Sequence, residues 1–243
     1  MHLEDPETVT GAVASLVSGS IKTTGEDRYV EYVDAELGGQ VGSRARHVGW
    51  ADANLLGKWA YYTADAGSDG HTETIAEELT AAGDRLADRV ADQGYDVSLG
   101  SEDYFWGSNS AALGNGLVLL VADAVEESAA YRGAARDQVH SVLGRTPTDR
   151  GYVTGSGERD PQNPHSRLAA SIGINVPGNV VGPNHDGGDP ELDSLLSEDD
   201  PAPAKSSLDV QGSWASNGPM LDYAAPLVPL LAAFTPADAV GVE

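Results

Sequence analysis

The feature that most constrains this chain is a series of apolar stripes at helical spacing, with almost no competing strand pattern. In His71–Gly94, Ile75, Leu79, Leu86 and Val90 recur on one face, and Glu77, Glu78, Asp84, Asp88 and Arg89 surround them. Ser110–Glu127 places Leu113, Leu117, Leu120, Val121 and Val125 on one face. Tyr131–Leu143 does so with Tyr131, Ala135, Val139 and Leu143, and Gly144 suits a C-terminal stop. Shorter helical patterns fall at Val9, Val13, Leu16 and Val17, and in Val48–Thr63 with Trp50, Leu55, Leu56, Trp59 and Tyr62. A last helix is expected at Leu221–Phe234, interrupted by Pro226 and Pro229. The best strand candidate is only Gly151-Tyr152-Val153-Thr154-Gly155. These patterns predict helix pairs in series, with function in the loops between them.

Between Arg145 and Gly218 the composition changes to Gly, Pro, Asn, Asp and Ser. An irregular stretch of that length is uncommon inside a compact domain and is usually functional or disordered. Within it, Pro190–Pro203 reads as a plain acidic loop, whereas His165, Arg167, Asn184 and Trp214 are residues a spacer would not need. With 243 residues and 40% hydrophobic content, the chain can bury a sizeable core.

The charge is extreme: 14 basic against 38 acidic residues, a net −24, with only Lys22, Lys58 and Lys205 as lysines. Like charge spread along a chain opposes its compact state. That repulsion is tolerable where molar salt shortens the Debye length to about 3 Å, so a halophilic, salt-adapted protein is expected. A nucleic-acid partner is disfavoured because phosphates would be repelled. The absence of cysteine excludes disulfides, thiolate metal sites and a cysteine nucleophile. No apolar run reaches the roughly 20 residues of a membrane span, so no membrane partner is expected. Met1-His2-Leu3-Glu4-Asp5 lacks the basic start and apolar stretch of a signal peptide.

A set of short motifs then appears in order. Tyr104-Phe105-Trp106-Gly107-Ser108-Asn109-Ser110 precedes a helix; Leu143-Gly144-Arg145-Thr146-Pro147 and Gly151–Gly155 follow. Next come Pro164-His165-Ser166-Arg167, Pro177-Gly178 and Gly182-Pro183-Asn184. The last are Pro203-Ala204-Lys205-Ser206, Asp209, Ser213-Trp214-Ala215-Ser216-Asn217 and Ala225-Pro226-Leu227-Val228. Each is weak alone, but the ordered set, from about Val48 to Phe234, closely resembles the C-terminal half of glycoside hydrolase family 9, the cellulase and endoglucanase family.

The resemblance implies an all-α fold, part of an (α/α)6 barrel with long Gly/Pro-rich loops. It also implies a single partial catalytic domain over residues 1–243, with 145–220 as its loop-rich active-site region. Family members are usually secreted and cleave β-1,4-glucan with inversion, which needs a carboxylate base and a carboxylic acid about 6.5–9.5 Å apart. By motif, His165 and Arg167 contact sugar, though Ser166 stands where the family often has His. Tyr104, Trp106 and Trp214 are candidate stacking platforms, because aromatic rings bury the apolar face of a sugar. Asp209 matches a signature Asp that organises the acid-bearing loop. Trp50 and Trp59 are expected in the core.

Two departures bear on catalysis. The family base lies in an Asp-Ala-Gly-Asp motif of the N-terminal half; Asp65-Ala66-Gly67-Ser68-Asp69 is similar in composition but wrongly placed. The family acid is a Glu after Asn, and that position is Gly218, fixed by Ser213-Trp214 before it and Ala225–Val228 after it. Ala224 replaces a later family Asn, and nothing in the sequence equips Asp222 to substitute for the acid. Asp65–Gly70 also resembles a calcium loop, but Ala76 stands where a bidentate Glu is needed. His47, His71, His140 and His185 form no metal spacing, and no cofactor is expected other than calcium, which the resemblance implies at a site that no motif here locates. Three functions compatible with these residues are a divergent β-glucan hydrolase using another carboxylate, a non-catalytic module for β-glucan or cello-oligosaccharide, and half of a split barrel. The last would pair with an N-terminal half-barrel chain or form a homo-oligomer. A truncated gene remnant is the alternative to all three.

Overall fold

In the computed structural model, the residues described are 54–64, 69–236 and five positions between 24 and 31. The helices, in chain order, are α1 (Asn54–Tyr62), α2 (Asp69–Asp92), α3 (Ser108–Val125) and α4 (Ala129–Val142). Four short helices follow: α5 (Arg167–Ile172), α6 (Pro190–Asp199), α7 (Trp214–Asn217) and α8 (Leu221–Ala224), before α9 (Leu227–Phe234).

The central helix is α3. It packs along α4 and α2, and α9 lies against both α3 and α4. It is apolar and long enough for a membrane span by composition, yet 67% of it is buried inside the protein. The expected single apolar face is therefore too narrow. Leu113, Val118, Leu119 and Ala122 are fully buried, whereas Leu117, Leu120, Val121 and Val125 are only partly covered. A helix enclosed by several neighbours buries most of its circumference, not one stripe.

Around it the sequence patterns hold with local corrections. On α2, Ile75, Leu79 and Val90 are buried and Leu86 packs at the edge of the core. On α4, Tyr131, Ala135, Val139 and Val142 are buried, but Leu143 is exposed because the helix has ended there. Gly144 follows with φ +135°, the left-handed side that ends helices. Leu55 is buried on α1 and Leu56 is not. Trp59 is only partly buried and stacks on Tyr62 at 5.8 Å. Pro226 caps the N-terminus of α9 and Pro229 sits in its first turn, where a missing N–H costs nothing, so the prolines split the expected last helix into α8 and α9. Val9–Val17, Trp50 and Asp65–Ser68, with the calcium-loop reading, lie outside the described residues.

Two expectations are overturned in the loop region. Pro190–Asp199 is a helix, not a plain acidic loop. Asp189 caps it by accepting from the Leu192 N–H at 2.8 Å, Pro190 starts it, and Leu192 is fully buried. Gly151–Gly155 forms no strand: it makes a single antiparallel bridge, Val153 to Val180.

Candidate functional site

The long loops are tied to the helical layer by side chains from the start of α3. Ser108 Oγ donates to the Pro183 carbonyl at 2.5 Å, and Asn109 Nδ2 donates to the Val181 carbonyl at 2.6 Å. Gly107 lets the chain enter α3 at φ +87°, with the Tyr223 ring packed where a side chain would project. Tyr152 donates its N–H to the Val142 carbonyl and accepts from the Val181 N–H, so two loops meet at the end of α4. The Gly182 N–H then reaches the Ser216 carbonyl at 3.1 Å, bringing the Gly-Pro-Asn motif beside α7.

Asp209 is the node of this region. Its carboxylate accepts from the backbone N–H groups of Gln162 (2.9 Å) and Asn163 (2.8 Å) and from the Arg150 guanidinium (3.0 Å). Asn217 Nδ2 donates to the Asn163 carbonyl at 2.7 Å and also lies 3.5 Å from Asp209 Oδ1. Asn217 is buried, and its carbonyl accepts the N–H of His165 at 2.8 Å. The His165 ring sits 2.7 Å from the Gln211 carbonyl through Nδ1. A carbonyl can only accept, so Nδ1 carries a proton, and in the neutral ring Nε2 is then the acceptor.

Three of the sequence candidates thus meet at one wall. The rings of His165 and Trp214 lie edge to face with centroids 6.0 Å apart, and Gly218 directly follows Asn217. Trp214 is 38% and Trp106 is 47% exposed. Trp106 is near this wall: its ring and Ala215 flank Gly188. Arg167 opens α5 and is exposed, with no carboxylate partner among the described residues. A cation at a helix N-terminus does nothing for that helix. Tyr104 goes elsewhere. It is half-buried, burial pushes its phenol up to about 12, and it lines a separate pocket.

Asp189, which the sequence did not single out, and Asn184, which it did, hold this wall. Asp189, 1% exposed, caps α6 and also accepts from Ser213 Oγ (3.0 Å) and the Ala215 N–H (2.8 Å), fixing both neighbours of Trp214. Asn184 donates to the carbonyls of Gly187 (2.9 Å) and Ala215 (3.2 Å). The Asp189-Pro190 pair before Glu191 was the available signal, a helix start inside a stretch that looked irregular.

At Gly218 the backbone dihedrals suit any residue, but space does not. A Cβ built there would press into the Trp214 carbonyl oxygen. This wall offers hydrogen-bonding groups and an indole face.

Comparison with known proteins places this arrangement. The chain is 29% identical over 235 residues to the cellulose 1,4-beta-cellobiosidase of Acetivibrio thermocellus, covering 84% of this chain and 26% of the relative. A zinc-binding triple mutant of the glycoside hydrolase family 9 endoglucanase J30 superposes with a TM-score of 0.89 at 39% identity, covering 96% of this chain and 42% of that one. A D468A endoglucanase from Alicyclobacillus acidocaldarius superposes at 0.82 with 26% identity, over 93% of this chain and 43% of that one. The fold is therefore part of an (α/α)6 barrel, and the chain spans about a quarter of this curated relative and about two fifths of these solved structures. The model of glycosyl hydrolase family 9 matches residues 11–231, and the chain belongs to that family.

Proposed function

We propose that this chain binds β-1,4-glucan at the wall formed by His165 and Trp214, with the exposed Arg167 two residues after His165, and that by itself it does not hydrolyse it. The observation that carries the reading is the closing of the backbone around Gly218 beside an otherwise ordered wall. His165, Trp214 and Asn217 are held together through Asp209 and Asp189, while the position after Asn217 has no room for a side chain. Trp214 supplies an apolar face for a sugar ring, and His165 Nε2 and the Arg167 guanidinium supply an acceptor and donors for its hydroxyls. Both oxygens of Asp209 are already occupied by donors, which suits positioning more than proton transfer. Losing one acid or base group typically costs about 10²–10⁴-fold.

The test is a proton NMR time course of cellopentaose with the purified chain in molar salt, with tryptophan fluorescence read in parallel. The expected result is a saturable fluorescence change with unchanged anomeric signals. New reducing-end signals in the α form would show inverting hydrolysis and overturn the non-catalytic reading. No fluorescence change from folded protein would overturn glucan binding.

One observation favours a second reading, a split barrel active only with further hairpins. Leu221 (91% exposed) and Val228 (68%) lie on consecutive C-terminal helices. A further polypeptide would cover both. Sedimentation in molar salt separates the readings: a monomer that unfolds cooperatively counts against the split barrel.

A further inference from the structure

A pocket of about 310 Å³ opens where the chain leaves α2 and α4. It shares no lining residue with the wall of His165, Arg167, Trp214 and Gly218. Its size is at the lower end of the about 300–1,000 Å³ typical of small-molecule sites, enough for one ring. Tyr95, Tyr104 and Tyr152 line it, with Pro203, Arg145 and Lys205.

Its charge is opposite in character to the rest of the molecule. The chain has 38 acidic residues among 243, yet no Asp or Glu lines this pocket and two cations do. Arg145 is already neutralised, with Nη1 2.9 Å from Asp137 and 3.1 Å from Asp96. Lys205 is not: its ammonium has no carboxylate or hydrogen-bond partner among the described residues. By contrast, Lys58 is paired with Glu78 at 2.5 Å. The backbone of Lys205 is held in place by its own N–H to the Ala202 carbonyl (2.7 Å) and by the Ser207 N–H on its carbonyl (2.9 Å). Beside it Ser206 is fully buried and bonded to His185 Nδ1 at 2.8 Å. An exposed, unpaired lysine on a held backbone, lining a carboxylate-free pocket of so acidic a chain, is a recognition element for an anion.

We infer that this pocket binds a small ring compound bearing one carboxylate, with the anion at Lys205 and the ring among the three tyrosines. Tyrosine rings bury the apolar face of either a sugar acid or an aromatic acid, and their hydroxyls serve as hydrogen-bond partners. The two sources share this chemistry and are told apart by titration.

The full chain, ¹⁵N-labelled, is titrated with glucuronate, benzoate and neutral glucose at the lowest KCl concentration at which circular dichroism shows it folded. At least one acid is expected to shift the amides of Tyr95–Leu99 and Ala202–Lys205 at millimolar concentration, with glucose about tenfold weaker or silent. Which acid binds identifies the source. Lys205→Met is expected to weaken the acid about tenfold, as loss of one charge-assisted hydrogen bond does. Arg136→Met, the same charge change on an exposed part of α4, is expected to leave it unchanged. The proposal is overturned if neither acid shifts these amides, if glucose binds as tightly as the acid, or if Lys205→Met binds like the parent.

Discussion

At the residue scale, the wall depends on a few polar groups with all their bonds made. Asp209 joins the 160–165 loop, Arg150 and α7, so Asp209→Ala removes two bonds to backbone N–H groups and one to Arg150, which water can in part replace because Gln162 and Asn163 are exposed. The expected cost is about 1–2 kcal/mol in urea unfolding, with loss of cellopentaose binding. Gly218→Ala forces a methyl against the Trp214 carbonyl, and is expected to destabilise by about 1–3 kcal/mol and to shift Trp214 fluorescence. For the same reason Gly218→Glu is expected to bring no hydrolysis. Tyr131 carries a pH dependence. Burial first, and then its 2.5 Å bond to Asp84, push its phenol up to about 12 from an unfolded value near 10. A raised folded value means stability is fully present below about pH 10 and is lost as pH rises through about 12. Tyr131→Phe is expected to cost about 1–2 kcal/mol at pH 7 and to flatten part of that alkaline loss, measured by urea titrations across the range. His165, Asp209 and Gly218 were readable from their motifs, which keep residue type and order. Asn184 was readable too, within Gly182-Pro183-Asn184, but Asp189 was not, since a lone Asp in a polar loop has no periodic signal.

At the element scale, α6 shows how a helix hides in an acidic stretch. Its apolar content is low, and only Leu192 is buried. Its existence depends on the Asp189 cap and on the anchoring of that same carboxylate to Ser213 and Ala215. Asp189→Ala therefore removes a cap and two bonds behind Trp214 together. A cost of about 3 kcal/mol is expected, with a red-shifted tryptophan emission, whereas a cap acting alone would cost only about 1 kcal/mol. The helix ends at Asp200, at φ +43°, which glycine adopts more readily than aspartate. Asp200→Gly is accordingly expected to be neutral or slightly stabilising in the same unfolding assay. Helix α3 shows the converse: its apolar residues were all visible, but which of them are most enclosed follows from packing by α2, α4 and α9.

At the scale of the whole molecule, the net charge of −24 dominates. Described ion pairs neutralise only some of it, and in most of them at least one partner is exposed, as both are in Arg159 with Asp149, so they contribute little. Stability is expected to rise steeply as KCl is raised from about 0.1 M to molar levels, because the Debye length falls from about 10 Å to about 3 Å. An unfolding midpoint that does not move with salt would contradict salt adaptation. The sequence by itself determined the helical class, the family, the glycine at position 218 and the charge, because each is carried by residue type, order or period along one dimension. The tertiary structure alone decided that Tyr104 leaves the other candidates for a second pocket, that Asp189 supports Trp214, and that position 218 has no space. The Asp189 contacts join groups more than twenty residues apart, which no local pattern encodes, whereas position 218 is closed by the Trp214 carbonyl four residues before it, through backbone dihedrals that residue types alone do not specify.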